Sequence, residues 1–232
     1  MVIFRELSLT DAAPAKITDV IVGAAGIKTE SRNNPISRGE RFARKKYSPR
    51  RIVIMFKLPM NTPVRRADWM QAISDWAAGD EPGQLKIPHY PGRYIDAVCS
   101  TFPDFAAVEQ REIMEIEFTA FDPAFVSDEE HIYTCGIPFA VGGNVPAMAY
   151  IKAVNAAPVT DPAWTLDGVK TIRLSGSVGT GTVIIDLEEK NVLLNDTPIN
   201  DMIILSSRFF ELKPGVHTVT GAGAVCLRER WV

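Results

Sequence analysis

Histidine is scarce in this chain of 232 residues: His89, His131 and His217 are the whole supply. None stands at helical i, i+4 spacing from another ligand type, and no His-x-His occurs, so the sequence asks for no metal site. Cysteine is equally sparse. Cys99, Cys135 and Cys226 make an odd number without a C-x-x-C spacing. That excludes a disulfide framework and reads as three free thiols in a reducing compartment. No apolar run approaches the roughly 18 residues of a membrane-spanning helix. The opening Met1-Val-Ile-Phe-Arg5 lacks a basic region followed by a long apolar one, so the expectation is synthesis in cytosol and no membrane insertion. No Gly-x-Ser-x-Gly elbow or other nucleophile signature occurs. Gly176-Ser-Val-Gly179-Thr-Gly181 lacks the Gly-Lys-Ser/Thr ending of a phosphate loop and leads into a strand pattern, not a helix, so it reads as a hairpin connection. The carboxylates Asp186, Glu188 and Glu189 near one turn, and Glu115 and Glu117 on one strand face, read as solvated surface, with a glycosidase pair as the rival reading. The formal charge of -3 provides no global field toward nucleic acid or membrane. The expectation is therefore no cofactor, no metal, no catalytic residue and no enzyme.

What the chain has in abundance is short strand patterns cut by turns. Thr182–Glu188, the polar turn Glu189-Lys-Asn191, Val192–Leu194 and the turn Asn195-Asp-Thr-Pro198 follow one another directly, and Pro214-Gly215 leads into Val216–Val219. That spacing belongs to an all-β sandwich and not to alternating βαβ units. Further strands are expected at Val2–Leu9, Ile17–Val22, Arg51–Leu58, Gln84–Ile87, Arg93–Ser100 and Arg111–Phe121. In the second half they are expected at Ala147–Ala153, Val169–Leu174, Met202–Leu205, Phe209–Leu212 and Val225–Trp231. In the strand ending at Phe121, Met114, Ile116 and Phe118 alternate with Glu115, Glu117 and Thr119, the mark of one wet face.

One helix is expected, over residues 63–78. Thr62 caps it and Pro63 fits its first position. Trp69, Met70, Ile73, Trp76 and Ala77 form an apolar stripe that should bury both tryptophans against a sheet. Phe121-Asp-Pro123 breaks the preceding strand. The division into two domains is set at 1–135 and 136–232.

Residues 28–51 form a polar, basic stretch without apolar periodicity, read as a long loop or arm. Arg32, Arg38, Arg41, Arg44, Lys45, Lys46, Arg50 and Arg51 fall within twenty positions opposed only by Glu40, with Phe42 and Tyr47 interleaved. Three readings stay open: a solvated loop, an arm that contacts another subunit, and a nucleic-acid contact. The candidate contact residues are Arg38, Arg41, Arg44, Lys45 and Lys46. Residues 1–135 carry 17 Lys+Arg against 19 Asp+Glu, so a basic arm rides on an acidic body, which suits pairing between copies of the chain.

Taken in order, several segments resemble the distal tail proteins of siphophages, the siphovirus tail component family. They are Arg50-Arg-Ile-Val-Ile-Met-Phe-Lys-Leu-Pro59 after the arm; Met70-Gln-Ala-Ile-Ser-Asp-Trp76 with Leu85 and Tyr94 following; and Ile116-Glu-Phe-Thr-Ala-Phe-Asp-Pro123. In the second half they are Thr171-Ile-Arg-Leu174, Ile185-Asp186, the hairpin to Asn195, Phe209-Phe-Glu-Leu-Lys-Pro-Gly215 and Arg228-Glu-Arg-Trp231. The resemblance implies a mainly β chain: an N-terminal tail-tube-like β domain with one helix, followed by a galectin-like β-sandwich. It implies a structural hub at the virion tail tip, made in the host cytoplasm, in which six copies form a ring around the channel through which DNA passes. The implied partners are further copies of the chain, the tail tube protein, and the tail-fibre or tail-associated lysin protein. Some members also dock a receptor-binding protein. A carbohydrate-binding module used in host adsorption is the alternative. It would need an exposed aromatic platform, for which the second half offers Trp164 and Trp231.

Overall fold

The computed structural model describes residues 1–33, 40–59, 62–103 and 113–232. The chain divides into two units, Met1–Phe125 and Val126–Val232. The sequence put the division at 135/136, within a window from Asp122 to Gly143 that also holds this boundary. The difference lies in His131–Thr134, whose strand takes its hydrogen bonds from the last strand, Ala224–Trp231.

In the first unit, Arg50–Lys57 is central. It pairs antiparallel with Lys16–Val22 on one side and Met114–Ala120 on the other. Arg93–Thr101 pairs with Met114–Ala120, and Gly83–Lys86 pairs with Arg93–Thr101. The alternation expected of Met114–Ala120 is present: Met114, Ile116, Phe118 and Ala120 are buried, whereas Glu115 is exposed and Glu117 half-buried. A one-residue slip would bury both carboxylates, so the hydrophobic pattern holds the register.

The N-terminal segment is not the single strand expected over Val2–Leu9. Arg5 and Glu6 have φ of 49° and 69°, and this turn folds Ile3–Phe4 back on Leu7–Ser8. A one-turn helix, Leu9–Ala12, follows, with the Ser8 hydroxyl accepting from the Thr10 N–H.

The long helix spans Pro63–Ala77, with the Thr62 hydroxyl accepting from the Arg65 N–H. Met70, Ile73, Trp76 and Ala77 face the core. Trp69 is only half-buried, so the stripe buries one tryptophan, not two. Trp76 meets Phe4 and Phe118 edge-on, with centroids at 5.8 and 5.9 Å, and donates its indole N–H to the Leu7 carbonyl at 2.9 Å. Each such ring pair adds about 0.5–1.5 kcal/mol to the burial of area. The helix is thereby tied to the N-terminal hairpin by rings and by a satisfied polar group.

The second unit is a sandwich. One sheet orders His131–Thr134, Ala224–Trp231, Val145–Asn155, Gly181–Asp186, Asn191–Leu194 and Thr197–Pro198 as antiparallel neighbours. Facing its core side are smaller ladders: Lys170–Arg173, Ala163–Leu166 and Val219–Thr220; Phe139–Val141 with Gly215–His217; Val159–Thr160 with Ser177–Val178. Ile151, Ile185, Val192 and Val225 from the first sheet pack with Trp164, Ile172, Leu174 and Val219 from the others. The Gly176–Gly181 segment is not a hairpin. Ser177–Val178 pairs with Val159–Thr160 while Gly181–Asp186 joins Val145–Asn155, so the glycines carry the chain between ladders. Met202–Leu205 and Phe209–Leu212 form no strands; Asn200–Met202 is a short 3-10 turn, and Phe210 and Leu212 are buried without a ladder.

Candidate assembly surface

The basic segment is a two-stranded ribbon and not the loop its composition suggested. Ile27–Asn33 pairs antiparallel with Glu40–Tyr47. The same two chain segments that form the ladder 16–22/50–57 continue into this ribbon. At the joint the Gly23 N–H donates to the Arg51 carbonyl at 2.8 Å and the Ser48 N–H to the Gly26 carbonyl at 2.7 Å. An added Cβ at Gly23 would stand 3.0 Å from the Arg51 carbonyl oxygen, so glycine permits the close approach of the two strands.

Of the expected contact residues, Arg38 lies outside the described residues. Arg41, Arg44 and Lys45 occupy the Glu40–Tyr47 strand, opposite Arg32, Glu30 and Thr29. Lys46 is exposed, stands opposite Lys28, and its Nζ lies 2.9 Å from the Glu30 carboxylate. The ribbon thus places like charges on two rungs, Lys28/Lys46 and Arg32/Arg41, where direct opposition destabilises pairing. A lone two-stranded ribbon is marginal in water even without that handicap. The turn residues Asn33-Asn34-Pro35 and Gly39 between two polar runs were the sequence signal for a hairpin. The absence of apolar alternation hid it.

Charge is divided accordingly. Residues 28–51 hold nine Lys+Arg and two Asp+Glu; the rest of residues 1–125 hold eight and fourteen. At the ribbon's root, successive arginines take opposite faces. Arg51 points outward and meets Glu117 on the adjacent strand at 2.5 Å. The hydrogen bond and the charge of Glu117 raise the Arg51 guanidinium above its ordinary value. Arg50 has the parity of Ile52, Ile54 and Phe56 and is buried, its Cζ 5.1 Å from the Phe125 ring centroid. Burial lowers its pKa, only partly offset by Tyr90.

No group of three or more His, Cys, Asp or Glu suited to a metal occurs among the described residues. All three cysteines are free thiols. Trp164 is 2% exposed and donates its indole N–H to the Ala222 carbonyl at 2.8 Å, which withdraws it from any role as a stacking platform for sugar. Trp231 is half-buried.

Residues 142–231 match the family described as siphovirus-type tail component, C-terminal domain. No curated protein matches the chain. Among solved structures, the Dit protein of phage SPP1, described as a paradigm of the hub adsorption apparatus in phages infecting Gram-positive bacteria, superposes with a TM-score of 0.80 at 16% identity. The match covers 100% of this chain and 98% of that one. A chain of the phage p2 baseplate in its activated conformation superposes with a TM-score of 0.51 at 5% identity, covering 93% of this chain and 90% of that one.

Proposed function

We propose that this chain, whose residues 142–231 match the family described as siphovirus-type tail component, C-terminal domain, is a ring-forming hub of a phage tail tip. The SPP1 protein that shares its fold is a hub of an adsorption apparatus, and the p2 chain belongs to a baseplate. The observation that carries the reading is the basic ribbon Ile27–Tyr47 on an acidic body. A ribbon with opposed like charges gains most when it lies against carboxylates, and the chain's own first unit supplies them in excess. A contact from the arm of one copy to the body of the next is heterologous, and such contacts close into rings when the rotation fits. Arg38, Arg41, Arg44, Lys45 and Lys46 are the arm residues assigned to this contact.

The hub joins the tail tube protein on one side to the tail-fibre or tail-associated lysin protein on the other, with a receptor-binding protein as a further partner. Six copies surround the channel for DNA. The protein is made in the host cytoplasm and resides at the virion tail tip. Its role is mechanical and not catalytic. Light scattering of the purified chain tests this: a ring-sized mass at micromolar concentration, with rings in negative stain, is the expected result. A strict monomer at high micromolar concentration overturns it.

A further inference from the structure

Arg50 is a cation held inside the first unit with no anion against it among the described residues. Its residue surface is 7% exposed, and Nε is sealed from solvent without an acceptor. Among the described residues no carboxylate or carbonyl hydrogen-bonds its guanidinium. Its close neighbour is the Phe125 ring, which in turn lies against Tyr90 with centroids 4.3 Å apart. A guanidinium does not shed its charge at any physiological pH. A buried charge lacking its counter-ion is among the costliest features a fold can carry, and a ring face compensates only part of that cost.

The surroundings are those of a contact surface. Arg50 stands opposite Ala120 in the last rung of the ladder, and exposed Pro49 and Phe121 are their neighbours along the chain. Phe121 is 66% exposed, and Ile27, at the start of the ribbon, 58%. Exposed apolar residues next along the chain to a desolvated cation are the makings of an interface core, in which a few anchors carry the energy and the surrounding contacts exclude water.

We propose that Arg50 is an anchor for a carboxylate supplied by a second copy of this chain. The inference rests on the ring reading above and deepens it, because it names the chemistry at the ribbon's root. The occupant is a second copy since the first unit outside residues 28–51 carries fourteen carboxylates against eight cations, and since Arg50 directly follows the ribbon assigned to reach that copy. The incoming oxygens meet the Nη edge of the guanidinium, while Nε stays on the core side.

The test uses the full chain with Arg50→Met and Arg50→Gln. The expected result has opposite signs in two readouts. Thermal unfolding of the dilute, unassembled subunit is unchanged or shifted upward, because an uncompensated charge has been removed. The concentration at half-assembly, read by light scattering, rises at least tenfold. Should the methionine variant fail to fold, the glutamine variant carries the comparison. Assembly of either folded variant at the wild-type concentration overturns the proposal. So does a fall in the unfolding temperature of the dilute subunit in both variants, which would confine Arg50 to an internal role on Phe125. A wild-type chain that never assembles fails the ring reading itself, and is distinguished by needing no variant at all.

Discussion

His217 Nδ1 lies 2.8 Å from Asp167 Oδ2, and the other carboxylate oxygen accepts the Thr218 N–H at 2.8 Å. His217 Nε2 faces the Lys213 carbonyl at 2.8 Å. One carboxylate and one ring thus join the Asp167-Gly168 turn to the segment 213–218. The hydrogen bond from His217, then that from Thr218, holds the Asp167 carboxyl below the usual carboxylate range.

The sign of the resulting pH dependence follows from linkage. A depressed carboxyl pKa contributes stability above the unfolded value, about 3.9, and loses it as pH falls through the lower folded value. Asp167→Asn should therefore lower the stability of the second unit at pH 7, by less than about 1 kcal/mol given the exposure of the pair. The difference from wild type should shrink between pH 7 and a strongly acidic pH at which the folded carboxyl is protonated. Urea titrations at the two pH values measure it.

Trp76→Ala should lower the stability of the first unit by about 3–5 kcal/mol, the usual loss for a buried large aromatic. It removes two edge contacts and the hydrogen bond to the Leu7 carbonyl. Trp76→Phe keeps a ring and should cost less, its lost hydrogen bond contributing about 1 kcal/mol. Denaturant unfolding of both variants checks the ranking.

Gly221 has φ 136°, and a Cβ there would stand 2.5 Å from Trp164 Cδ1 and 2.8 Å from the Ala163 carbonyl oxygen. Gly221→Ala combines a disfavoured backbone region with displacement of a fully buried indole. A loss of roughly 1–3 kcal/mol is expected, with a change in tryptophan emission as Trp164 moves. Unchanged unfolding and emission would contradict the packing described.

Removing residues 33–46 should abolish ring assembly and leave the thermal unfolding of both units in place, because the core residues described in each unit lie outside that segment. Raising salt from 0.15 to 1 M shortens the screening length from about 8 to 3 Å and should weaken assembly of the intact chain in the same direction. An arm-deleted protein that forms native rings refutes the role given to the ribbon.

Legibility followed burial. Met114–Ala120 was readable because one face is dry and one wet, which writes a period of two into the residues. The Pro63–Ala77 helix was readable because Thr62 and Pro63 mark its start. The ribbon was not, since its residues show no alternation of apolar and polar positions. Phe209–Leu212 misled in the opposite sense: Phe210 and Leu212 are apolar because they are buried, and burial does not require a ladder. His131–Thr134 went unread because its exposed Ile132 and Thr134 carry no inward pattern of their own. For the assembly surface, the sequence displayed the charges of Arg50 and Arg51 but not that the pleat sends one outward to Glu117 and the other inward to Phe125.

The joint between ribbon and sheet has a mechanical consequence. Traction on the strand Glu40–Tyr47 travels into Arg50–Lys57, which is bonded along its far edge to Met114–Ala120 through seven opposed residue pairs. The pull acts lengthwise, so those rungs are sheared together and share the load, whereas a crosswise tug would unzip them singly.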